Sequence, residues 1–388
     1  MYLNYAEHEE HLHKENVPNL RFPEFSGEWK KTTIGKCCGN LEYGMNAAAK
    51  TFDGVNKYIR ITDIDEDTSS YIQSDIVSPD ARLEEKYRVT LNDILFARTG
   101  ASTGKTYLYR PDDGKLYFAG FLIRANVKET YNSRFVFLQT KTSSYKRWVA
   151  IMSTRSGQPG INSQEYSSYS FKAPTLKEQN KIADIFRLLD ERIATQIKII
   201  EDLKKLKSAI SKTIFTGNKF ECHQTILGDV ADIYQPQTIP TSLLCEENEY
   251  NVYGANGIIG KYSKYNHETS QICIACRGNS CGAVNYSTPK SWITGNAMVI
   301  NTDGKDVDKR YLYHLLCTIN FTPLISGSGQ PQIVRSPLEK MKIRLPNLSI
   351  QRNISKVLDD IESKIEIEEE ICKRFIKQKS GLLSQMFI

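Results

Sequence analysis

Apolar residues recur at alternating steps of four and three along two stretches of the chain, as they do along one side of a helix. The two stretches fall into register when Ile182 is aligned with Ile354, a step of 354 − 182 = 172 residues. A polar interruption recurs at the same step, Gln196 with Glu368. Because an apolar stripe needs an apolar partner, we predict that the two helices pack against each other. The predicted packing positions are Ile182, Phe186, Leu189, Ile193, Ile200, Leu203, Ile210, Ile354, Leu358, Ile361, Ile365, Phe375 and Leu382.

The repeat extends upstream of the helices. The tetrapeptide Ser156–Pro159 recurs as Ser328–Pro331, also at a step of 172 (328 − 156), and Gly100 recurs as Gly278 at a step of 178 (278 − 100). We attribute the change in step to loops of different length. Solenoid repeats have periods of about 20–50 residues, so this repeat indicates a duplicated domain.

Boundary signals divide the chain into four blocks. Thr175 and Glu178 form a capping box directly after Pro174, and Gly217 stands where a long helix would end. Short strand-like runs, among them Phe118–Ile123, precede that helix. The sequence predicts an α+β fold in which two similar mixed α/β domains are separated by two long helices, with a pseudo-twofold internal repeat. The predicted blocks are residues 1–175 with a loose lead-in over 1–16, a helix over 176–217, a second globular block over 218–345 and a second helix over 346–388.

Composition narrows the class of protein only modestly. A net charge of +6 spread over 388 residues is a weak indication of an acidic partner. Nine irregularly spaced cysteines favour reduced thiols in a cytoplasmic protein. We expect no membrane span and no secretory signal, because no apolar stretch is long enough for the first and the N-terminus lacks an apolar core.

Two motifs resemble chemical sites. The turn Gly100–Thr106 resembles a phosphate-binding loop, but it has three residues where that loop needs four before its Gly-Lys pair, so we interpret it as a turn after a strand. Cys273, Cys276 and Cys281 suggest a zinc site. Their counterparts in the first repeat are Leu95, Arg98 and Thr103, so the fold needs no metal there. We therefore predict no metal site and no catalytic residues.

Polar side chains on loops are the remaining candidates for function. Arginine reads guanine through two hydrogen bonds, and asparagine or glutamine reads adenine, so such loops suit DNA. Gln158 and Gln330 are identical in both repeats and cannot distinguish two sequences, which favours a scaffold role for them. The candidate DNA-binding residues are Arg98, Lys105, Arg155, Gln158, Asn162, Gln164, Arg277, Asn279, Gln330, Gln332 and Arg335.

Several of these segments, in this order, resemble the specificity subunit of a Type I restriction–modification system over nearly the whole chain. The resemblance rests on Val17–Trp29, on Ala97–Lys105, on Ser-Gly-Gln-Pro in both repeats, and on Pro174–Gln179 with Pro346–Gln351. It implies two target recognition domains that each read half of a split double-stranded DNA site. It also implies that the two long helices form an antiparallel coiled coil that spaces the domains and docks methyltransferase subunits.

The resemblance further implies that this chain is not itself an enzyme. Partner methyltransferase subunits would bind S-adenosylmethionine and methylate adenine, and restriction motor-nuclease subunits would use ATP and Mg²⁺. The second repeat departs from the pattern, with Ala283 in place of the lysine at 105.

Two alternatives and one detail remain open from the sequence. A stand-alone DNA nuclease would need a cluster of metal-binding carboxylates that the sequence does not reveal, and a coiled-coil scaffold without a DNA role would leave the polar loops unexplained. For the antiparallel helices we predict a stagger that sets Lys207 near Glu368 and Gln196 near Lys379, which would place polar residues of the seam together.

Overall fold

The computed structural model describes residues 16–154, 158–217, 220–327 and 329–388. The chain forms two compact units. The first unit comprises Met1–Thr195 and Cys372–Ile388, and the second comprises Gln196–Ile371. Within the described ranges, no helix combines the length and the apolar character that a membrane span requires.

The first unit consists of short strands and short helices that lead into a long helix. Its strands are β1 Lys30–Thr33, β2 Cys38–Tyr43, β3 Ala48–Thr51, β4 Lys57–Ile59, β5 Val77–Asp80, β6 Asp93–Ala97, β7 Thr106–Leu108, β8 Leu116–Phe118, β9 Leu122–Val127 and β10 Ser170–Ala173. Its helices are α1 Ile34–Cys37, α2 Ser133–Gln139, α3 Ser143–Met152, α4 Ser163–Ser168 and the first part of α5 Leu176–Thr216. An antiparallel sheet in the order β2-β9-β6-β7 forms its centre, and β1 pairs with β10 just before α5.

The second unit repeats this plan. Its strands are β11 His223–Ile226, β12 Asp232–Tyr234, β13 Tyr250–Gly254, β14 Gly257–Tyr262, β15 Ile272–Ala275, β16 Val284–Tyr286, β17 Trp292–Ile293, β18 Ala297–Asn301, β19 Ile325–Ser326, β20 Gln332–Ile333 and β21 Lys342–Leu345. Its helices are α6 Leu227–Val230, α7 Lys309–Leu316, α8 Arg335–Glu339 and most of α9 Leu348–Met386. The sheet β12-β18-β15-β16 has the same order as its counterpart, and β11 pairs with β21 as β1 pairs with β10. The predicted α+β fold with an internal repeat is confirmed.

The end of one long helix packs into the core of each unit. In the first unit the ring of Phe387 stacks on Phe135, with 5.4 Å between centroids, and lies against Phe186. In the second unit Phe215 meets Tyr311 edge to face, also at 5.4 Å. Phe387 and Phe215 are equivalent at the step of 172 (387 − 215). Burial of these aromatic rings is a strong source of packing energy, so it fixes each helix end to its unit.

A buried glutamine ties the start of each long helix to a short one. Gln179 is 1% exposed; its amide nitrogen donates to the Pro174 carbonyl at 2.9 Å, and its amide oxygen accepts from the Asn132 backbone at 3.0 Å. Gln351, 2% exposed, makes the same two bonds, at 2.8 Å to the preceding proline carbonyl and 2.9 Å from the Asp308 backbone. Because buried backbone groups need partners, this clamp explains why proline and glutamine recur together in the sequence.

The two long helices run antiparallel within each unit. In the first unit Lys379, near the end of α9, pairs with Asp190 of α5 at 2.6 Å. In the second unit Lys207, towards the end of α5, pairs with Glu362 of α9 at 2.9 Å. Of the predicted packing positions, Ile182, Phe186, Ile200, Ile354, Leu358 and Ile365 are buried, and Leu189, Ile193, Leu203, Ile210, Ile361, Phe375 and Leu382 are half-buried.

The predicted stagger of the helices is wrong. Gln196 donates to the carboxylate of Glu368, its own equivalent in the repeat, and Lys207 pairs with Glu362 instead. Lys364 also contacts Glu368, at 2.5 Å, and its hydrogen bond, followed by that of Gln196, lowers the pKa of Glu368. A buried amide and a buried carboxylate satisfy each other in this register, which avoids the free-energy penalty of leaving either without a partner.

Candidate nucleic-acid interface

A glycine turn joins β6 to β7 in the first unit and β15 to β16 in the second. Gly100 and Gly104 have φ of +69° and +90°, and Gly278 and Gly282 have +78° and +93°. This left-handed region favours glycine. Space adds a second requirement at Gly104, where a Cβ atom would lie 2.5 Å from a methyl group of Val149. The same turn is therefore built twice.

The backbone amides of the first turn are already used within the turn. Thr103 donates to the Gly100 carbonyl, Gly104 to the Ala97 carbonyl and Lys105 to the Ser102 carbonyl, each at 3.0 Å. A phosphate-binding loop needs such amides free to point at its ligand. This geometry favours the interpretation of Gly100–Thr106 as a turn.

The Gln-Pro loop packs on this turn in the first unit. Gly100 donates to the Pro159 carbonyl at 3.0 Å, and Ile161 donates to the Arg98 carbonyl at 2.9 Å. The side-chain nitrogen of Gln158 lies 3.1 Å from where a Cβ of Gly100 would be. The loop and the turn thus form one continuous surface. Arg155 lies outside the described residues.

The second unit repeats the same two backbone bonds. Gly278 donates to the Pro331 carbonyl at 3.0 Å, and Ile333 donates to the Cys276 carbonyl at 3.1 Å. Arg277 also forms an isolated antiparallel β-bridge with Gln332. The structure therefore places the predicted residues of each unit around one turn and one loop.

The remaining predicted residues of the first unit differ in how far their side chains are engaged. Lys105 pairs with Glu66 at 3.2 Å. Asn162 caps helix α4, where its side-chain oxygen accepts from the Glu165 backbone at 2.9 Å. Gln164, in the first turn of that helix, is exposed. Asn162 thus has a clear structural role, whereas Gln164 faces solvent.

In the second unit the predicted side chains are all exposed. Arg335 begins α8 and pairs with Glu339 one turn later at 2.7 Å. An exposed pair of this kind is weak and can exchange for a nucleic-acid contact. The other exposed residues are Arg277, Asn279, Gln330 and Gln332.

Sequence reasoning missed two aromatic residues beside Arg98. The run Phe118–Ile123 was predicted to be strand-like throughout, but β8 ends at Phe118 and β9 begins at Leu122, with a turn at Gly120 and Phe121 between them. Phe121 is 57% exposed at this turn, and Tyr43 is 42% exposed next to it. Gly120 inside an apolar run was the available signal for the break.

The tyrosine joins this region to the Gln-Pro loop. The Tyr43 hydroxyl accepts a hydrogen bond from the Ser163 backbone at 3.2 Å. The Ser163 side chain, followed by this backbone bond, lowers the pKa of Tyr43. Ser163 directly follows Asn162, so the loop, the glycine turn and the aromatic residues lie side by side in the first unit.

Two of the three cysteines that suggest a zinc site belong to the core of the second unit, and the third, Cys281, is half-buried against it. Cys273 and Cys276 are buried in or directly after β15, and burial raises the pKa of Cys273 to about 12. The Cys276 thiol donates to the Asn296 carbonyl at 3.2 Å. Such thiols behave as small apolar side chains rather than as thiolate ligands.

Across the described ranges, one group of three side chains has ligand atoms close enough to hold a metal, namely His314, Asp359 and Glu362. His314 lies 2.7 Å from Asp359, and Glu362 binds Lys207 at 2.9 Å and Arg310 at 2.6 Å. Burial acts to raise the pKa of Glu362, but Lys207 and Arg310 together lower it. Cationic side chains already neutralise these carboxylates.

Comparison with known proteins identifies the family to which the sequence is similar. The model of the Type I restriction modification DNA specificity domain matches residues 28–205 and 223–374. The MjaVIII specificity subunit of Methanocaldococcus jannaschii, a Type I restriction enzyme component, is 23% identical over 94% of this chain and 92% of its own length. The putative MjaX specificity subunit of the same organism is 26% identical over 77% of this chain and 78% of its own.

A shorter match and a solved structure complete the comparison. The putative Type I specificity subunit S.HindORF215P of Haemophilus influenzae is 33% identical, but the match spans only 34% of this chain and 35% of that protein. The crystal structure of the S subunit of a Type I restriction-modification system from M. genitalium has a TM-score of 0.69 and covers 96% of this chain and 99% of its own, at 16% identity. That likeness concerns the fold.

Proposed function

This chain belongs to the family of Type I restriction modification DNA specificity domains, and from that premise we propose that each of its units reads one half of a bipartite double-stranded DNA target. Its role in such a system is sequence recognition rather than catalysis. We assign the two reading domains to residues 1–175 and 218–345.

One observation carries the proposal: the same backbone scaffold is built twice with different side chains. The bond between the glycine turn and the Gln-Pro loop is 3.0 Å in both units, from Gly100 to Pro159 and from Gly278 to Pro331. At the end of each turn the first unit has Lys105 where the second has Ala283. A conserved frame with divergent polar groups suits two different half-sites, because base contacts rather than the frame carry specificity.

We propose further that α5 and α9 set the spacing of the reading domains and dock partner subunits. Both helices keep large apolar side chains in solvent although their inner stripes are packed. In the first unit Leu188 and Ile376 are 55% and 51% exposed, and in the second Leu206 and Ile367 are 50% and 54% exposed. The partners would be two methyltransferase subunits that use S-adenosylmethionine and motor-nuclease subunits that use ATP and Mg²⁺.

The alternatives fit the structure less well. A stand-alone nuclease needs carboxylates free to hold metal ions, and in the described part of the chain the one metal-like group is engaged by Lys207 and Arg310. A coiled-coil scaffold without a DNA role gives no reason for building the polar turn and loop twice.

Sequencing of methylated adenines in host DNA, with this gene present and deleted, tests the proposal. We expect the gene to add one motif made of two short half-sites separated by an unread gap. A methylation pattern that does not change on deletion, while the partner methyltransferase is still produced, would contradict it.

A further inference from the structure

A cavity of about 560 Å³ opens next to the glycine turn of the first unit. Its wall includes Tyr43, Asn46, Tyr58, Arg60, Arg98 and Phe121. Pockets that bind ligands have volumes of about 300–1,000 Å³ and mostly apolar walls with a few placed polar groups. The size and lining of this cavity fit that description.

The rim of the cavity is fixed by close backbone contacts. Gly120 donates to the Met45 carbonyl at 2.8 Å, and the buried Tyr58 hydroxyl donates to the same carbonyl at 2.8 Å. A Cβ atom on Gly44 would lie 2.2 Å from the carbonyl oxygen of Ala119, so this position requires glycine. The two chain segments that form the mouth are thus held in register before any ligand binds.

Arg98 is held at the mouth between two aromatic rings. Its guanidinium carbon lies 5.0 Å from the centroid of Tyr43 and 5.9 Å from that of Phe121. Its Nε donates to the Gly120 carbonyl at 3.1 Å. Its two terminal nitrogens make no hydrogen bond to any residue that the structure describes. The side chain is therefore oriented, but its outer donors are available.

The other arginine of the cavity wall is not available in this way. Arg60 binds Asp63 through two hydrogen bonds of 2.8 Å and lies 3.4 Å from Asp75. These two carboxylates compensate the charge of Arg60 and occupy its hydrogen-bond donors. No carboxylate in the described ranges pairs with Arg98, so of these two arginines it is the one that can meet an incoming acceptor.

We propose that the mouth of this cavity is the base-reading site of the first unit, with Arg98 donating through its two terminal nitrogens to O6 and N7 of a guanine and Phe121 contacting the neighbouring base. The inference rests on the proposed reading of DNA by this unit and names its substrate. A planar guanidinium matches the two acceptors of guanine in the major groove. An exposed aromatic ring beside it offers apolar contact to the edge of an adjacent base, as phenylalanine does to the methyl group of thymine in the major groove.

The second unit has different groups at the same places. Strand pairing aligns Ala97 with Leu122 in the first unit and Ala275 with Ala297 in the second. The residue after Ala97 is Arg98, and the residue after Ala275 is Cys276. In place of Phe121, directly before Leu122, the second unit has an asparagine, directly before Ala297. The guanine contact therefore belongs to one half-site only.

The test uses the full chain in its own restriction–modification complex, with adenine methylation read by sequencing of a randomised target library. The half-site of the first unit is assigned by exchange of residues 1–175. In Arg98→Ala and Arg98→Lys alike, preference for guanine at one position of that half-site should fall roughly tenfold to a hundredfold, since lysine lacks the two-pronged geometry. Arg88→Ala, which removes a positive charge of the same unit outside the cavity, is the matched control and should leave the motif unchanged.

The outcomes separate this inference from the proposed function. If the unaltered chain gives a bipartite motif without guanine in the first half-site, or if Arg98→Lys keeps the preference, the guanine contact is wrong while the proposed function stands. If the unaltered chain directs no motif at all, the proposed function fails. If both Arg98 variants lose all methylation, Phe121→Ala provides the test, because removing this exposed ring should not unfold the unit. An altered preference in the first half-site alone supports the inference. An unchanged motif overturns it.

Discussion

At the start of each long helix the two units hold the same buried glutamine, whereas beside the glycine turn the first unit has Arg98 and the second has Cys276. Gln179 and Gln351 each join a proline carbonyl to the backbone of a short helix, so any change there leaves buried groups without partners. Arg98 donates through Nε to one carbonyl, that of Gly120, and its terminal nitrogens have no hydrogen-bond partner among the described residues. The paired buried hydrogen bonds thus keep the glutamine in both units, whereas the residue beside the glycine turn differs in both charge and burial.

A second difference lies in the ion pairs between the long helices and the short ones. The first unit has Arg134 bound to Asp190 at 3.0 Å. The second unit has Arg310 on both Asp359 and Glu362, and adds His314, which is 2% exposed and bonded to Asp359. The second unit therefore has a buried imidazole beside these ion pairs, whereas the described residues of the first unit contain none.

The largest expected effect comes from removing either clamp. Gln351→Leu should destabilise the second unit, and Gln179→Leu the first, by about 2–4 kcal/mol each, because each change leaves a buried acceptor and a buried donor without partners. Urea unfolding together with hydrogen exchange of each unit measures this. Gln378→Leu, at an exposed position of α9, is the control and should change stability little. A loss of stability in this range for one variant and little loss for the other would show that the two glutamines are not equivalent.

A smaller effect is expected from the exposed arginine of the second unit. If Arg335 reads a base, Arg335→Ala should weaken discrimination by about 1–3 kcal/mol in the second half-site and leave the first unchanged. If it contacts only phosphate, binding should weaken uniformly across sequences and depend less on salt. Binding assays on half-site variants at several salt concentrations separate these results. An effect on the first half-site would break the assignment of one unit to one half-site.

Asn162 allows a structural role to be separated from reading in the first unit. Asn162→Ala removes the cap of α4 and should cost about 1 kcal/mol of stability. Asn162→Ser keeps a capping oxygen and removes the amide donors without adding a charge. If the amide reads DNA, both variants should alter the first half-site; a defect confined to Asn162→Ala would assign this residue to the cap alone.

The smallest effect concerns acid stability and distinguishes the units. Burial lowers the pKa of His314 below its ordinary value of 6.5, so the unfolded chain binds more protons there and the second unit should lose stability as the pH falls through 6.5. Asp359, Lys207 and Arg310 lie around it. His314→Leu should weaken this dependence in urea unfolding between neutral and mildly acidic pH. His267 of the same unit, whose pKa burial also lowers, accounts for the remainder. The first unit, with Leu138 at the equivalent place, should not show it, and an equal loss in both units would refute the explanation.

The sequence predicts those elements whose buried residues recur at a regular spacing. The four-three stripes predict the long helices, and the recurrence of glycine and proline predicts the repeated turn and loop. Gly120 within the apolar run indicates the break before Phe121, but the position of the turn depends on a hydrogen bond to Met45, 75 residues earlier (120 − 45), which the sequence pattern does not specify. The stagger failed for a similar reason: pairing of Gln196 with Glu368 is a contact between distant segments that periodicity does not specify.

The most direct test of the central proposal is to exchange residues 1–175 for the corresponding domain of another family member and to sequence the methylated adenines of the host. If each unit reads its own half-site, one half of the motif should change and the other half should stay the same. A motif that changes in both halves, from an active complex, would contradict independent reading by the two units.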